Sequence, residues 1–177
     1  KGQGDVKGPA SATAKGTEKE RLDALTTDFV LYPPVNFAMV CKGIYRSGFP
    51  TKKNFPFLTT LRLRSIVYMC QEEYPPANLE FTRANGIRLL QFGVTGNKEP
   101  FNFTNPKIIR QAVDAAMNPR NQPVLIHCNQ GKHRTGCVVG CVRKQMHWSL
   151  ASIFNEYRRT AHPKERFLDQ QFIELFE

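Results

Sequence analysis

Apolar residues along this chain follow two rhythms: short unbroken runs, and longer stretches in which they return every three or four positions. The runs Val35–Val40, Ile44–Arg46, Ser65–Cys70, Ile87–Phe92 and Val124–His127 predict strands, the first two as a hairpin. Helical spacing predicts a helix over Asn54–Leu63 with Pro56 in its first turn, and another over Ala77–Asn85 closed by Gly86. Asn105 caps a third with Pro106 at its first position and Ile108, Ile109, Ala112, Val113 and Ala116 on one face. Val138, Val139, Cys141 and Val142 mark the next. Ser149 opens a helix carrying Leu150, Ile153, Phe154 and Tyr157, and Phe167, Leu168, Phe172 and Leu175 define the apolar face of the last. Strands alternating with helices predict an α/β domain: a central, twisted, largely parallel sheet flanked by helices on both faces. No internal repeat interrupts the pattern.

Composition narrows the class. The chain has 177 residues, 41% of them hydrophobic, with thirteen Phe, enough for a core in a single domain. Residues 1–20 hold no aromatic residue and no aliphatic beyond Val6, so they read as a flexible tail, leaving 21–177 as the domain. The tail carries four lysines against Asp5, Glu18 and Glu20, so all but one unit of the formal +10 belongs to the domain. A basic domain calls for anionic partners. Nucleic acid is the rival partner, but the chain shows no stacking-aromatic motif, zinc finger or basic helix, and we expect none. No apolar run approaches the ~20 residues that span a bilayer, and residues at the start show no charged n-region followed by an apolar h-region. Five cysteines without framework spacing favour a reducing, cytoplasmic setting. Because the chain begins at Lys1 rather than Met, an upstream targeting segment stays an open alternative.

The chemistry concentrates in His127-Cys128-Asn129-Gln130-Gly131-Lys132-His133-Arg134-Thr135-Gly136, between a predicted strand and a predicted helix. A helix N-terminus offers unpaired N–H groups and a positive dipole end to an anion. A thiol attacks phosphorus as thiolate, which such a terminus and neighbouring cations favour, so Cys128 is the expected nucleophile of a covalent phosphoenzyme. The planar fork of Arg134 suits two phosphoryl oxygens at once. Gly131 permits positive φ and lets the amides of Asn129, Gln130, Lys132 and His133 turn inward as a nest. Gly136 is expected to let the helix approach the sheet, and Thr135 to cap it and set a hydroxyl beside the sulfur. A zinc cluster of Cys128, His127, His133, Cys137 and Cys141 is the alternative, but the paired short cysteine loops of structural sites are missing, so no metal or other cofactor is expected. Cys137 and Cys141 read as structural.

This loop resembles the active-site loop of the cysteine-dependent tyrosine and dual-specificity phosphatases. The stretches Gly43–Pro50, Glu72–Pro75, Gly96–Phe101, Gly131–Cys137 and Asp169–Glu174 are similar to the plant and fungal atypical dual-specificity phosphatases, from about Pro33 onward. The resemblance implies a dual-specificity-phosphatase-like fold and, for the branch typified by a yeast enzyme, removal of the β-phosphate of inositol pyrophosphates. A phosphotyrosine or dual-specificity protein phosphatase acting on a phosphoprotein is the alternative, followed by a phosphoinositide phosphatase and a non-catalytic phosphate-binding module.

In that superfamily an Asp about thirty residues before the cysteine protonates the leaving group. Here the region reads Phe92-Gly93-Val94-Thr95-Gly96-Asn97-Lys98-Glu99, without Asp. Glu99 is either the general acid or a solvated loop charge. A phosphate leaving group departs with little protonation, so the loop suits a phosphoanhydride. Lys132 and His133, with Lys98 opposite, are expected to supply positive charge to a densely phosphorylated ligand. Arg158, Arg159, His162 and Lys164 form a second basic group, placed first at a helix's negative end and only secondarily at the substrate.

Overall fold

The computed structural model describes residues 30–96 and 104–177; the expected tail over residues 1–20 lies outside them. Among these residues five strands, β1 (Ala38–Cys41), β2 (Ile44–Ser47), β3 (Ser65–Tyr68), β4 (Arg88–Gln91) and β5 (Val124–His127), form one sheet in the order β1-β2-β5-β3-β4. Only β1 and β2 pair antiparallel; the other three pairings are parallel. Every residue of β3 and β5 is buried, the pattern of strands covered on both faces. Their β-branched and aliphatic content, Ile66, Val67, Val124 and Ile126, suits that position.

Six α-helices among the described residues provide the cover: α1 (Phe55–Thr60), α2 (Pro76–Ala84), α3 (Pro106–Met117), α4 (His133–Gln145), α5 (Leu150–Ala161) and α6 (Phe167–Leu175). Stacked rings of Phe55 and Phe81, 4.2 Å apart, join α1 to α2. The hub is α4, which packs among α3, α5 and α6 and against β5 and β2. Residues 135–143 of α4 are all buried, so its small and β-branched side chains meet protein on every side.

The predicted caps are in place: Asn105 accepts from the Lys107 amide, Ser149 accepts from the Ser152 amide, and Gly86 ends α2 at φ +64°. Local chemistry shortened two elements. The hairpin begins at Ala38 rather than Val35, because Asn36 turns the chain at φ +54° and Val35 is exposed. The helix expected over Asn54–Leu63 is a 3-10 turn, Lys52–Asn54, followed by α1, and it stops at Thr60 as Arg62 enters the left-handed region at φ +48°.

Three expectations are corrected. Thr135 does not cap α4; Lys132 holds the N-cap position and Thr135 lies buried within the first turn. Gly136 faces α5 rather than the sheet, since a Cβ there would lie 2.9 Å from the Tyr157 ring. The last helix is rotated from the predicted face: Phe167 and Leu175 are 69% and 71% exposed, whereas Asp169 and Ile173 are fully buried. Two contacts set that rotation. Tyr157 donates its hydroxyl to Asp169 Oδ2 at 2.5 Å, and Ile173 fills the space left by Gly140.

A Cβ on Gly140 would lie 2.5 Å from Ile173 Cδ1 and 2.8 Å from its Cγ1. Gly140→Val should therefore lower stability by about 1–3 kcal/mol through overpacking, read as a fall in the urea midpoint, and Ile173→Ala in the same chain should recover part of the loss.

Candidate functional site

Strands β2, β3 and β5 end in register at Ser47, Tyr68 and His127, so the segments that follow them emerge together at the carboxyl edge of the sheet, where α/β proteins place ligands. The loop from Cys128 to Lys132 leaves β5 there and runs into the N-terminus of α4. Its shape is imposed by the segment after β2. The Phe49 amide donates to the Asn129 carbonyl at 2.9 Å, and Asn36 Nδ2 donates to the Gln130 carbonyl at 2.8 Å. Gly131 turns at φ +70°, and a Cβ there would lie 2.6 Å from the backbone of Ser47 and Gly48, so no other residue fits without moving the strand end.

Below the loop lies a buried guanidinium. Arg46 of β2, 1% exposed, donates through Nη2 to the Gly131 carbonyl at 2.6 Å and through Nη1 to Glu156 Oε1 at 3.4 Å. The second oxygen of Glu156 lies 2.5 Å from Nε of Arg143, which stacks its guanidinium 4.0 Å above the Trp148 ring. The Arg143 contact is an ion pair without hydrogen-bond alignment, since that N–H has no acceptor along its direction. Burial draws the Arg46 guanidinium below its ordinary pKa, and Glu156 opposes the shift.

His127, just before the cysteine, belongs to the core rather than the cleft. It sits among Phe49, Tyr68 and Tyr74, with ring centroids 5.1–5.7 Å away. Its Nδ1 faces the Cys128 carbonyl at 3.4 Å and its Nε2 faces the Tyr74 hydroxyl at 3.0 Å. A carbonyl only accepts, so Nδ1 carries the proton and Nε2 accepts from Tyr74. Burial pushes the ring's pKa down to about 4.

The loop opens into a cleft of about 580 Å³. Cys128, 4% exposed, lies in it with Asn129, Gln130, Lys132, His133 and Arg134, so six of the predicted residues come together. Arg134 Nη1 donates to the Val94 carbonyl at 3.3 Å, and the buried Thr135 hydroxyl has no hydrogen-bond partner among the described residues. Lys98 and Glu99 fall outside the described residues.

Lys132 donates to the His162 carbonyl at 2.9 Å and His133 Nε2 donates to the Lys164 carbonyl at 2.5 Å, tying the loop to the α5–α6 connection. Burial lowers the His133 pKa, which disfavours the cationic form expected of it. Further charge comes from the α5–α6 connection. Lys164 lines the cleft, the second of the two places expected for its group, and so does Arg166, which the sequence pattern did not single out. The Arg166 amide donates to the Tyr157 hydroxyl, which donates in turn to Asp169, so the buried acid of α6 helps seat this wall. Within the second basic group, Arg158 instead binds Gln170 at 2.8 Å and His162 pairs with Glu165 at 3.0 Å. No group of three or more His, Cys, Asp or Glu among the described residues is arranged to hold a metal ion.

A thiol at a helix N-terminus, beneath a glycine-shaped loop and beside an arginine fork, defines a cysteine-dependent phosphatase. The chain belongs to the Tyrosine phosphatase family, whose profile matches residues 31–177. It is 57% identical over 148 residues to Inositol diphosphatase DSP1 of Oryza sativa subsp. japonica, covering 84% of this chain and 67% of the relative. It is 54% identical over 146 residues to Inositol diphosphatase SIW14 of Saccharomyces cerevisiae, covering 82% of this chain and 52% of the relative, so it spans about half the yeast protein. The crystal structure of the core catalytic domain of PP-IP phosphatase SIW14 from S. cerevisiae in complex with citrate matches with a TM-score of 0.79 at 50% identity, covering 84% of this chain and 89% of that one.

Glu156 serves two buried guanidinium groups at once. Glu156→Gln should cost about 3–5 kcal/mol of stability, read by denaturant unfolding, because both charges then lack a counter-ion. His127 gives a pH signature. Its folded pKa of about 4 lies below the unfolded value of about 6.5, so the unfolded chain binds the extra proton between those values. Stability should fall by up to about 3 kcal/mol as pH drops from 6.5 to 4, and His127→Gln should remove most of that slope.

Proposed function

We propose that this chain is a metal-independent phosphatase that hydrolyses the phosphoanhydride of inositol pyrophosphates, releasing the β-phosphate through a phosphocysteine on Cys128. The observation that carries the substrate class is the cleft lining, in which the cations Lys132, Arg134, Lys164 and Arg166 surround the loop that holds the thiol. A phosphomonoester on a peptide uses one such group and the loop amides; a polyphosphorylated ring uses them all. Relatives named inositol diphosphatases, more than half identical over the same residues, support the reading.

The Cys128 sulfur attacks the terminal phosphorus in line, and the inner phosphate departs with its electron pair. Being a phosphate, that leaving group needs little protonation. Arg134 holds two equatorial oxygens, and the amides from Asn129 to His133, with the N-terminus of α4, take up the charge that develops on the phosphoryl group. The Thr135 hydroxyl, buried without a partner among the described residues, suits the returning thiolate as a donor in the second step. All five cysteines are free, which supports a reducing, cytoplasmic setting, and no described helix is long and apolar enough to cross a membrane.

A phosphate-release panel of diphosphoinositol polyphosphates, phosphoinositides and phosphotyrosyl peptides tests the reading. We expect preference for the diphosphoinositols, loss of all turnover in Cys128→Ser, and a fall of about 10²- to 10³-fold in Arg134→Lys. A large preference for the peptide would sink the substrate class, and wild-type hydrolysis by Cys128→Ser would sink the nucleophile.

A further inference from the structure

A phosphoanhydride relieves the first chemical step of its need for an acid, but not the second of its need for a base. Water attacks the phosphocysteine only slowly until something accepts its proton. The cations of the cleft already hold their protons. His133 is tied through Nε2 to the Lys164 carbonyl of the α5–α6 connection. One lining residue among those described carries a carboxylate: Glu72, on the turn that follows β3.

That turn is fixed with unusual thoroughness for an exposed segment. The amide nitrogen of Gln91, at the end of β4, lies 2.9 Å from the Cys70 carbonyl, 3.3 Å from that of Gln71 and 3.0 Å from that of Glu72. Gly93 presses on the same turn, since a Cβ there would lie 2.9 Å from Gln71 Cα. From the loop side, Cys70 Sγ donates to Asn129 Oδ1 at 3.2 Å, the residue next to the nucleophile. The Cys70 thiol, raised chiefly by burial, is raised further by the charges of Cys128 and Glu72, so one side chain feels both groups.

We propose that Glu72 is the general base of the second half-reaction, with Gln91 as the residue that positions it. The Glu72 carboxylate takes a proton from water as the water oxygen bonds to phosphorus. The S–P bond breaks, its electron pair stays on Cys128 as thiolate, and orthophosphate leaves; the proton on Glu72 then passes to solvent. This assignment rests on the Cys128 phosphoenzyme and assigns it a carboxylate within the described residues, separate from Glu99.

Rapid mixing with nitrophenyl phosphate separates the two half-reactions, because nitrophenolate leaves without an acid. In Glu72→Gln, steady-state turnover should fall by about 10²-fold or more, preceded by a burst of one nitrophenol per enzyme, and acid-quenched protein should carry phosphate on Cys128. Glu72→Asp should restore part of the turnover and shrink the burst. Gln91→Leu should show the same accumulation in milder form, which a general loss of folding would not produce. Unchanged turnover in Glu72→Gln, or a slow variant that accumulates no phosphocysteine, overturns the assignment. Run beside it, Cys128→Ser distinguishes the levels: if it still turns over, the phosphoenzyme reading fails, whereas an inactive Cys128→Ser beside an unaffected Glu72→Gln removes the role of Glu72 alone.

Discussion

The hydrogen bond from the buried Arg46 guanidinium to the Gly131 carbonyl is the constraint on which the site depends. A nest of inward-facing amides leaves its carbonyls pointing away from the anion, and those carbonyls need partners elsewhere. Arg46 supplies one from beneath, at the cost of placing a full charge in the core. Glu156 reaches across from α5 to balance it, and in doing so also balances Arg143 of α4. One carboxylate thus links β2, the strand that pairs with the one before the loop, the helix after the loop and the next helix in the chain. A buried ion pair of this kind is weak evidence of net stability, yet removing one member strands the others. The same contact makes Gly131 obligatory, since its carbonyl reaches Arg46 only while its Cα lies against Ser47 and Gly48.

Charge is partitioned sharply across a few ångströms. Immediately inside the loop, His127 is held neutral among three aromatic rings, so the end of β5 contributes no positive charge to the core. Immediately outside, Lys132, Arg134, Lys164 and Arg166 face the cleft. The nucleophile sits on this boundary, nearly buried yet opening onto the cationic side.

How much of this the sequence disclosed follows from the range of the interactions involved. The strand Val124–His127, the caps at Asn105 and Ser149 and the positive φ of Gly131 are local consequences of a few neighbouring residues, and they are found as expected. The Cys128–Arg134 loop was legible for the same reason: its chemistry needs fixed types at fixed spacing. The cleft wall was not. Arg166 reaches the site because Tyr157 and Asp169 hold the backbone near it, an arrangement linking positions nine to twelve residues apart on different elements. Arg46 lies 85 residues from the carbonyl it supports, and periodicity says nothing about such a pair. The rotation of α6 failed for a related reason: apolar spacing selected Phe167 and Leu175, whereas the buried face is decided by a vacancy at Gly140 and a hydroxyl at Tyr157. The lowering of the His133 pKa depends on burial, which a charge count does not register.

The contact between Lys132 and the His162 carbonyl has a thermodynamic side as well. A lysine on a surface samples many rotamers, and capturing one for a ligand costs roughly 0.5–1.5 kcal/mol of side-chain entropy. Here that rotamer is already selected by a carbonyl of the protein itself. An ammonium has three donors, so with one engaged two remain for an incoming anion. The polyanion therefore meets a cation whose freedom was surrendered when the chain folded, and the ordering entropy that would weaken binding has been moved into the stability of the native state.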